Sequence, residues 1–474
     1  MKTLASFETD FPAWYADVVR RAELAEHSAV RGSMVIRPYG YAIWELLQRE
    51  LDDRIKATGH ENVYFPLLVP RSVLAREGEL VEGFAPEVAV VTEAGGSVLE
   101  EPLVVRPTSE ATIWSTYARW IQSYRDLPLL YNQWANAVRW ELRPRLFLRT
   151  TEFLWQEGHT AHETAAEAVA ECLTILHQVY ADVQESVLAM PVLRGRKTPG
   201  ERFPGARETF TTEAMMRDRK ALQAATSHYL GDEFSRAYEV SYTGRDGAQH
   251  HPFAASWGAS ARLVGGVVMT HGDGRGLKLP PAVAPHQVVI VPIAPERSEV
   301  AAAAAAVAAT LRTAGVRVKV DERRHVRPGA KFFEWELKGV PVRLDVGVRD
   351  LAGGQVTLVR RDRDVREEVS RDTVPARVDE VLREIQLGLL SDARSFLDRH
   401  TRRITDRDEM VEFLANAHGF AVTAWCGSAA CEAEIKAETS ATIRCLTVDP
   451  EDPRAPCPVC GRPGVELATW AQAY

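Results

Sequence analysis

Between Tyr39 and Thr58 the apolar residues Ile43, Leu46, Leu47, Leu51 and Ile55 recur at helical spacing, which predicts an amphipathic helix ended by Gly59. The run "NVYFPLLVP" follows and reads as a strand bent or ended by Pro66 and Pro70. Such a helix and strand often pack against a partner subunit; a plain amphipathic helix on a core has the same pattern. Near residue 282 the texture changes. "LPPAVAPHQVVIVPIAP" sets prolines on both sides of a buried-looking strand, and an alanine-rich helix is expected over 299–314. "VRVKVDE", a helix near 330–338, "VPVRLDVGV" and "QVTLVRR" continue the alternation, which predicts a small mixed or parallel sheet. A helical bridge over about 378–420 then leads to a cysteine-bearing tail.

Residues 139–159, "RWELRPRLFLRTTEFLWQEGH", read as two strands about a turn at Pro144. Side chains alternate between the faces of a strand, so Arg139 and Glu141 share one face. Arg149, Thr151, Phe153, Trp155, Glu157 and His159 share another. A solvated sheet face is the simpler reading of so polar a set. Phe153 and Trp155 fit it poorly, and mixing them with Arg, Glu and His describes a pocket floor better.

A chain of 474 residues exceeds what one core supports, so two or three domains are expected. With 46% hydrophobic and 26% charged residues the composition is that of a soluble globular protein. The N-terminal "MKTLASFETDFPAWYADVV" does not read as a signal sequence and no run has membrane-spanning length, so a cytoplasmic location without membrane contact is expected. A net charge of -8 argues against coating nucleic acid by bulk electrostatics, but not against holding a structured RNA through local contacts. Cys426 and Cys431 in "CGSAAC", with Cys457 and Cys460 in "CPVCG", have the paired spacing of a four-thiolate zinc site. Four thiolates close the tetrahedron, so that zinc reads as structural.

Three further pieces carry chemistry. "RPTSEATIW" offers Thr108 and Glu110, which on an extended segment face the same way and suit an ammonium. "ALQAATSHYLG" holds Gln223, Thr226 and His228. In "FAASWGASARLVGGVVMTHGDGRG" a strand leads to a helix with Arg262 in its first turn, where a cation opposes the helix dipole unless an anion sits there. An exposed arginine that tolerates the mild penalty is the competing reading. Together these parts suit a nucleoside triphosphate bent over an antiparallel sheet; Walker and Rossmann loops are absent. "HGDGRG" is explained as well by a turn, and "HTAHE" at 159–163 matches no zinc-protease pattern.

These residues resemble the class II aminoacyl-tRNA synthetases, specifically prolyl-tRNA synthetases of the archaeal and eukaryotic type, over nearly the whole chain. Motif 1 is matched by the unit 37–70, motif 2 by "VRWELRPRLFLRTTEFLWQEGHTAH" and motif 3 by "SWGASARLVGGVVMTHGDGRGLKLPP"; "RPTSE", "RFPGA", "LQAATSHYLG" and "LPPAVAP" are similar to further signatures. The resemblance implies an α/β (α+β) fold in three parts: a class II antiparallel sheet core with flanking helices over 1–283, an α/β anticodon-binding domain over 284–385 and a small zinc-bound domain over 386–474. It implies proline–tRNA ligase activity using ATP, Mg2+, L-proline and tRNA(Pro), with structural Zn2+ on the four cysteines and a homodimer formed through motif 1.

By the same resemblance Arg139 and Arg262 are the catalytic arginines. Arg139, Glu141, Arg149, Phe153, Gln223, Thr226 and Arg262 bind ATP, Phe153 by stacking on adenine. Thr108, Glu110, Arg139, Trp155, Glu157, His159, Phe203, His228 and Ser260 bind proline. Glu336, Arg343 and Arg349 read the anticodon, although a solvated helix and strand account for those charges equally. The chain departs from the family where Thr151 replaces a second arginine, where Arg219 and Ala225 replace glycines, and in a motif 2 turn one residue short. Gly265 and Gly266 each weaken the motif 3 helix by roughly 1 kcal/mol relative to alanine. These departures fit a divergent second copy as well as a housekeeping enzyme. A threonyl or glycyl synthetase, a non-catalytic tRNA-binding paralogue and a zinc hydrolase built on "HTAHE" are the rival readings.

Overall fold

The computed structural model describes residues 3–78, 88–417, 419–449 and 452–474. Its centre is an eleven-stranded sheet. In spatial order the strands are Thr401–Arg403, Phe420–Trp425, Glu466–Ala471, Thr442–Thr447, Val192–Arg196, Glu208–Met215, Ala221–Gly231, Phe253–Ser260, Glu152–His162, Leu129–Val138 and Glu61–Asn62. Only the outermost pair at each end is parallel. Three helical pieces, Phe11–Arg21, Pro38–Ala57 and Arg262–His271, cover one face and bury Trp14, Leu47, Leu51, Val264 and Val267 in the largest core.

The sequence predicts a tail separate from the synthetase-like sheet, and here the fold differs. Thr442–Thr447 pairs with Val192–Arg196, so the C-terminal strands extend the same sheet. A buried charge cluster fills the seam. Glu213 accepts from Lys197 Nζ at 2.7 Å and from Arg444 Nε and Nη2 at 3.1 and 3.2 Å. Burial alone would raise the Glu213 pKa, but the two cations hold it below the usual carboxylate range.

Residues 284–385 hold a second sheet of five strands, Val318–Val320, Val288–Pro292, Val342–Val346, Gln355–Arg360 and Arg366–Ser370 in spatial order. It is mixed: the first three strands are parallel and the last two antiparallel. The alanine-rich helix spans Ser298–Thr313 and packs Val300, Ala304, Val307 and Leu311 on it. The expected helical bridge is interrupted: helix Val374–Arg399 runs across residue 385, then a short strand and helix Arg407–Ala415 follow. "NVYFPLLVP" likewise yields two short strands, Glu61–Asn62 and Leu68–Pro70, with Pro66 between them. Among the described residues no helix is long and apolar enough to cross a membrane.

Candidate active site

The expected hairpin exists, with different bounds. Its strands are Leu129–Val138 and Glu152–His162, and residues 139–151 form an irregular loop between them. Arg139, Glu141, Arg149 and Thr151 therefore owe their placement to that loop and not to strand alternation. Packing against the main core shapes it. Leu146, Phe147 and Leu148 are buried in the main core, and Tyr15 donates to the Leu146 carbonyl at 2.7 Å. A Cβ on Gly265 would come within 2.6 Å of Leu148, so the glycine that weakens the helix lets the loop approach it.

Phe153, Trp155, Glu157 and His159 do share one face of their strand, and the antiparallel register extends each across the sheet. Trp155 lies opposite Ser260, Glu157 opposite Gly258 and His159 opposite Ser256. One strand further, Thr226 pairs with Gly258 and His228 with Ser256. Gln223 reaches the same face because the register shifts between Thr212 and Glu213, a bulge that reverses side-chain alternation within "QAAT". The result is one cavity of about 360 Å³. It collects all fifteen residues that the resemblance places at ATP or proline, from Thr108 and Glu110 through to Ser260 and Arg262.

Toward Ser260 the cavity is cationic. Arg262 is half-buried and donates to the carbonyls of Leu148 at 3.0 Å and Gln223 at 3.4 Å. Withdrawal from water, then the charges of Arg149 and Arg139, lower its pKa to about 10. Arg139 donates to the Pro107 carbonyl at 3.1 Å, and its guanidinium lies 5.5 Å from the ring centres of both Phe153 and Trp155. Arg149 is exposed and pairs with Glu141 at 3.1 Å.

Toward Ser256 the cavity is carboxylate-rich. The segment "RPTSE" is not extended: Glu110 opens the helix Glu110–Trp120, and the Thr108 hydroxyl donates to it across that turn. The buried Glu157 accepts from Ser109, from Gln133 Nε2 at 2.8 Å and from His159 Nε2 at 3.1 Å. Burial opposes its ionisation, yet the His159 contact and the two further donors lower its pKa below 4.5. Burial likewise opposes the charge on His159, and Glu110 and Glu157 overcome that and raise its pKa above 6.5. His228 goes the other way: burial, Arg139 and His159 push it down to about 3, so it is neutral, with Nδ1 3.0 Å from the Thr209 hydroxyl and its ring 4.6 Å from that of Phe203. Trp155 Nε1, His159 Nδ1 and Ser256 Oγ are buried in the wall without hydrogen-bond partners among the described residues, an arrangement that favours a polar ligand. Sequence reasoning missed Ser109, Gln133 and Ser256, although Ser109 stands between Thr108 and Glu110 in "RPTSE" and Ser256 opens the motif 3 match; Gln133 lies in an ordinary strand run. His159 and His162 lie on opposite faces of their strand, and His162 contacts Thr160 at 2.8 Å, so "HTAHE" gathers no metal ligands.

Cys426, Cys431, Cys457 and Cys460 converge, with all four sulfurs within 4.8 Å of one another. Cys426 lies 3.6 Å from Cys431 and 3.5 Å from Cys460. A tetrahedral Zn2+ with sulfurs at about 2.3 Å sets them roughly 3.8 Å apart, so the donor set fits zinc. In the five-stranded domain Glu336 and Arg343 line a small concavity with Trp335, Arg361 and Asp364; Arg349 lies outside that lining, exposed on a short helix.

Three family models match the chain in turn: a tRNA synthetase class II core domain (G, H, P, S and T) over 96–271, an anticodon binding domain over 287–381 and a prolyl-tRNA synthetase C-terminal domain over 407–474. Proline–tRNA ligase 2 of Rhodococcus jostii is 53% identical, with 95% of this chain and 94% of that protein covered. The chain belongs to the prolyl-tRNA synthetases. Proline–tRNA ligase of Alkaliphilus oremlandii is 48% identical over 100% of this synthetase and 98% of its own length. The prolyl-tRNA synthetase of Cryptosporidium parvum, solved with halofuginone and AMPPNP, superimposes with a TM-score of 0.94 at 38% identity, covering 100% of this chain and 97% of that one. The same enzyme solved with L-proline and AMP gives 0.94 at 37%.

Proposed function

We propose that the cavity forms prolyl-adenylate from L-proline and ATP, and that the prolyl group then passes to tRNA(Pro). The observation that carries this reading is the polarity of one continuous cavity, with Arg139, Arg149 and Arg262 toward Ser260 and Glu110, Glu157 and His159 toward Ser256. Thr108 and Glu110 hold the secondary ammonium of proline, while Trp155, Glu157, His159, Phe203, His228 and Ser260 enclose the ring. Arg139 spans the proline carboxylate and the α-phosphate. Glu141, Phe153, Gln223 and Thr226 take the adenosine end, and Arg149 and Arg262 the phosphates. The proline carboxylate attacks the α-phosphorus, the bond to the β-phosphate oxygen breaks and pyrophosphate leaves; a terminal tRNA hydroxyl then attacks the acyl carbon and AMP departs. Such chemistry rests on positioning and on charge neutralised in flight, for which Arg139 and Arg262 are placed, and it needs no protein base. Magnesium bound to the nucleotide would supply further charge neutralisation at its phosphates.

Zinc on the four cysteines would be structural. Glu336, Arg343 and Arg349 are assigned to the anticodon, with the segments 1–283, 284–385 and 386–474 as functional units in the cytoplasm. A homodimer through the motif 1 region is supported by apolar surface left open at Val35, Tyr41, Tyr64 and Leu68. The test is amino-acid-dependent ATP–pyrophosphate exchange with each of the twenty amino acids, beside metal analysis of the purified protein. Exchange with proline alone, and one zinc per chain, is the expected result. No exchange with any amino acid would instead make the chain a paralogue without adenylation activity.

A further inference from the structure

The glycine-rich "HGDGRG" segment, 271–276, plays no part in the cavity. It begins where the motif 3 helix Arg262–His271 ends, so that one ten-residue helix carries Arg262 at its start and Asp273 just past its finish. Gly276 has φ +128°, and a Cβ there would lie 2.6 Å from the carbonyl oxygen of Leu337 in the five-stranded domain. The glycine thus serves close approach of two backbones. Leu277 N donates to Leu337 O at 3.0 Å and Leu279 N to Gly339 O at 3.1 Å.

Asp273 is the polar centre of this joint. Arg361, from the turn after strand Gln355–Arg360, reaches across the domain boundary and grips it with both Nη atoms, at 2.7 and 3.0 Å, while its Nε donates to the Glu336 carbonyl at 3.0 Å. Lys278 adds a contact at 3.1 Å, and Trp14 Nε1 donates to the Asp273 carbonyl at 2.9 Å. Burial would raise the Asp273 pKa; the Arg361 fork outweighs that and keeps the carboxylate well below its usual range. Arg275 pairs with Glu336 beside it. Arg361 is 4% exposed at its side chain, yet it lines the concavity that holds Glu336 and Arg343. The same guanidinium therefore belongs to the wall of the anticodon-domain concavity and to the end of the motif 3 helix.

We propose that Arg361 is a positioning residue for transfer to tRNA: by clamping Asp273 it fixes the anticodon-domain concavity relative to the ATP and proline pocket, so that one tRNA engages both. The inference rests on the synthetase reading above, and it separates two activities. Proline-dependent exchange uses the pocket alone and is independent of the clamp. Charging of tRNA needs both ends held at a fixed separation, so loosening the clamp weakens productive tRNA binding.

The experiment compares the parent protein with Arg361→Met, Asp273→Asn, the double variant and Arg361→Lys. Each is assayed for proline-dependent exchange, for charging of full-length tRNA(Pro) and for its thermal unfolding midpoint. Each single variant is expected to raise the KM for tRNA tenfold or more, while the KM values for ATP and proline in exchange stay within twofold. The double variant should equal the singles, because both remove one interaction. Arg361→Lys, which keeps the charge without the fork, should recover part of the loss. An Arg361→Met effect without a matching Asp273→Asn effect would overturn the proposal, since Arg361 would then act on tRNA directly. Unchanged tRNA charging in both variants would overturn it too, as would exchange, charging and unfolding midpoint falling together. Absence of exchange in the parent protein would refute the synthetase reading instead.

Discussion

Two arginines, Arg444 on the central sheet and Arg262 on the helix that covers it, illustrate opposite uses of charge withdrawn from water. Arg444 meets Glu213 through two hydrogen bonds, with Lys197 on the same carboxylate. Arg262 faces Arg139 and Arg149, and among the described residues it donates to carbonyls and to no carboxylate. Close opposite charge raises the Arg444 pKa against burial, whereas like charge adds to burial and lowers that of Arg262. A paired buried ion belongs to the fold. A cation withdrawn from water among other cations belongs to an anion that arrives later, and its cost is carried by the free enzyme.

The contrast makes the largest prediction concern the seam. Arg444→Met removes the bidentate partner of Glu213 and should cost about 3–5 kcal/mol of stability, the range for breaking a buried ion pair, with Lys197 keeping it near the lower end. Urea unfolding measures it. Exchange per folded molecule should change little, and a loss of exchange at unchanged stability would blur the distinction. Arg262→Ala is the converse: kcat for exchange should fall by about 100- to 1000-fold, as when one donor to a developing charge is removed, with stability unchanged or improved. Destabilisation on the scale of the Arg444 variant would mean that Arg262 is structural after all. Smaller is Phe153→Ala. An aromatic stacked on a base contributes about 1–3 kcal/mol, so the KM for ATP should rise roughly tenfold while that for proline moves much less.

The two regions also differ in how far the sequence discloses them. The strand face of the cavity was legible because Phe153, Trp155, Glu157 and His159 sit on a true strand, where a period of two is a geometric necessity. The cysteine knuckles were legible because four sulfurs have few reasons to converge. Arg139 and Glu141 line the same cavity by a route that alternation does not describe, since the loop 139–151 is set by buried Leu146, Phe147 and Leu148. Gln223 needed a bulge that no local residue announces. The seam was invisible: Glu213 and Arg444 stand 231 residues apart, and nothing in "TTEAM" or "TIRCL" predicts that strands from the tail extend the synthetase sheet. Ser109 and Gln133 were hidden for the same reason, because their common partner Glu157 lies on another element.

Between these extremes lies the pair Glu157 and His159, which is paired like the seam but placed within the pocket. Its pH dependence tells which side it resembles. The Glu157 pKa is lowered from 4.5, so its contribution to stability is present above that value and is lost as pH falls through the lowered one. The His159 pKa is raised from 6.5, so its contribution is complete below 6.5 and is lost as pH rises through the raised value. Both are therefore in full force between pH 4.5 and 6.5. The difference in unfolding free energy between the parent and His159→Gln should be greatest in that window, and should shrink at higher pH as the imidazole loses its proton and only a neutral hydrogen bond remains. Urea titrations at a series of pH values measure it. A difference that stayed flat up to pH 9 would mean that folding leaves the His159 pKa unchanged, so that no charge pairing with Glu157 stabilises the free pocket and the carboxylate is the anionic counterpart of Arg262.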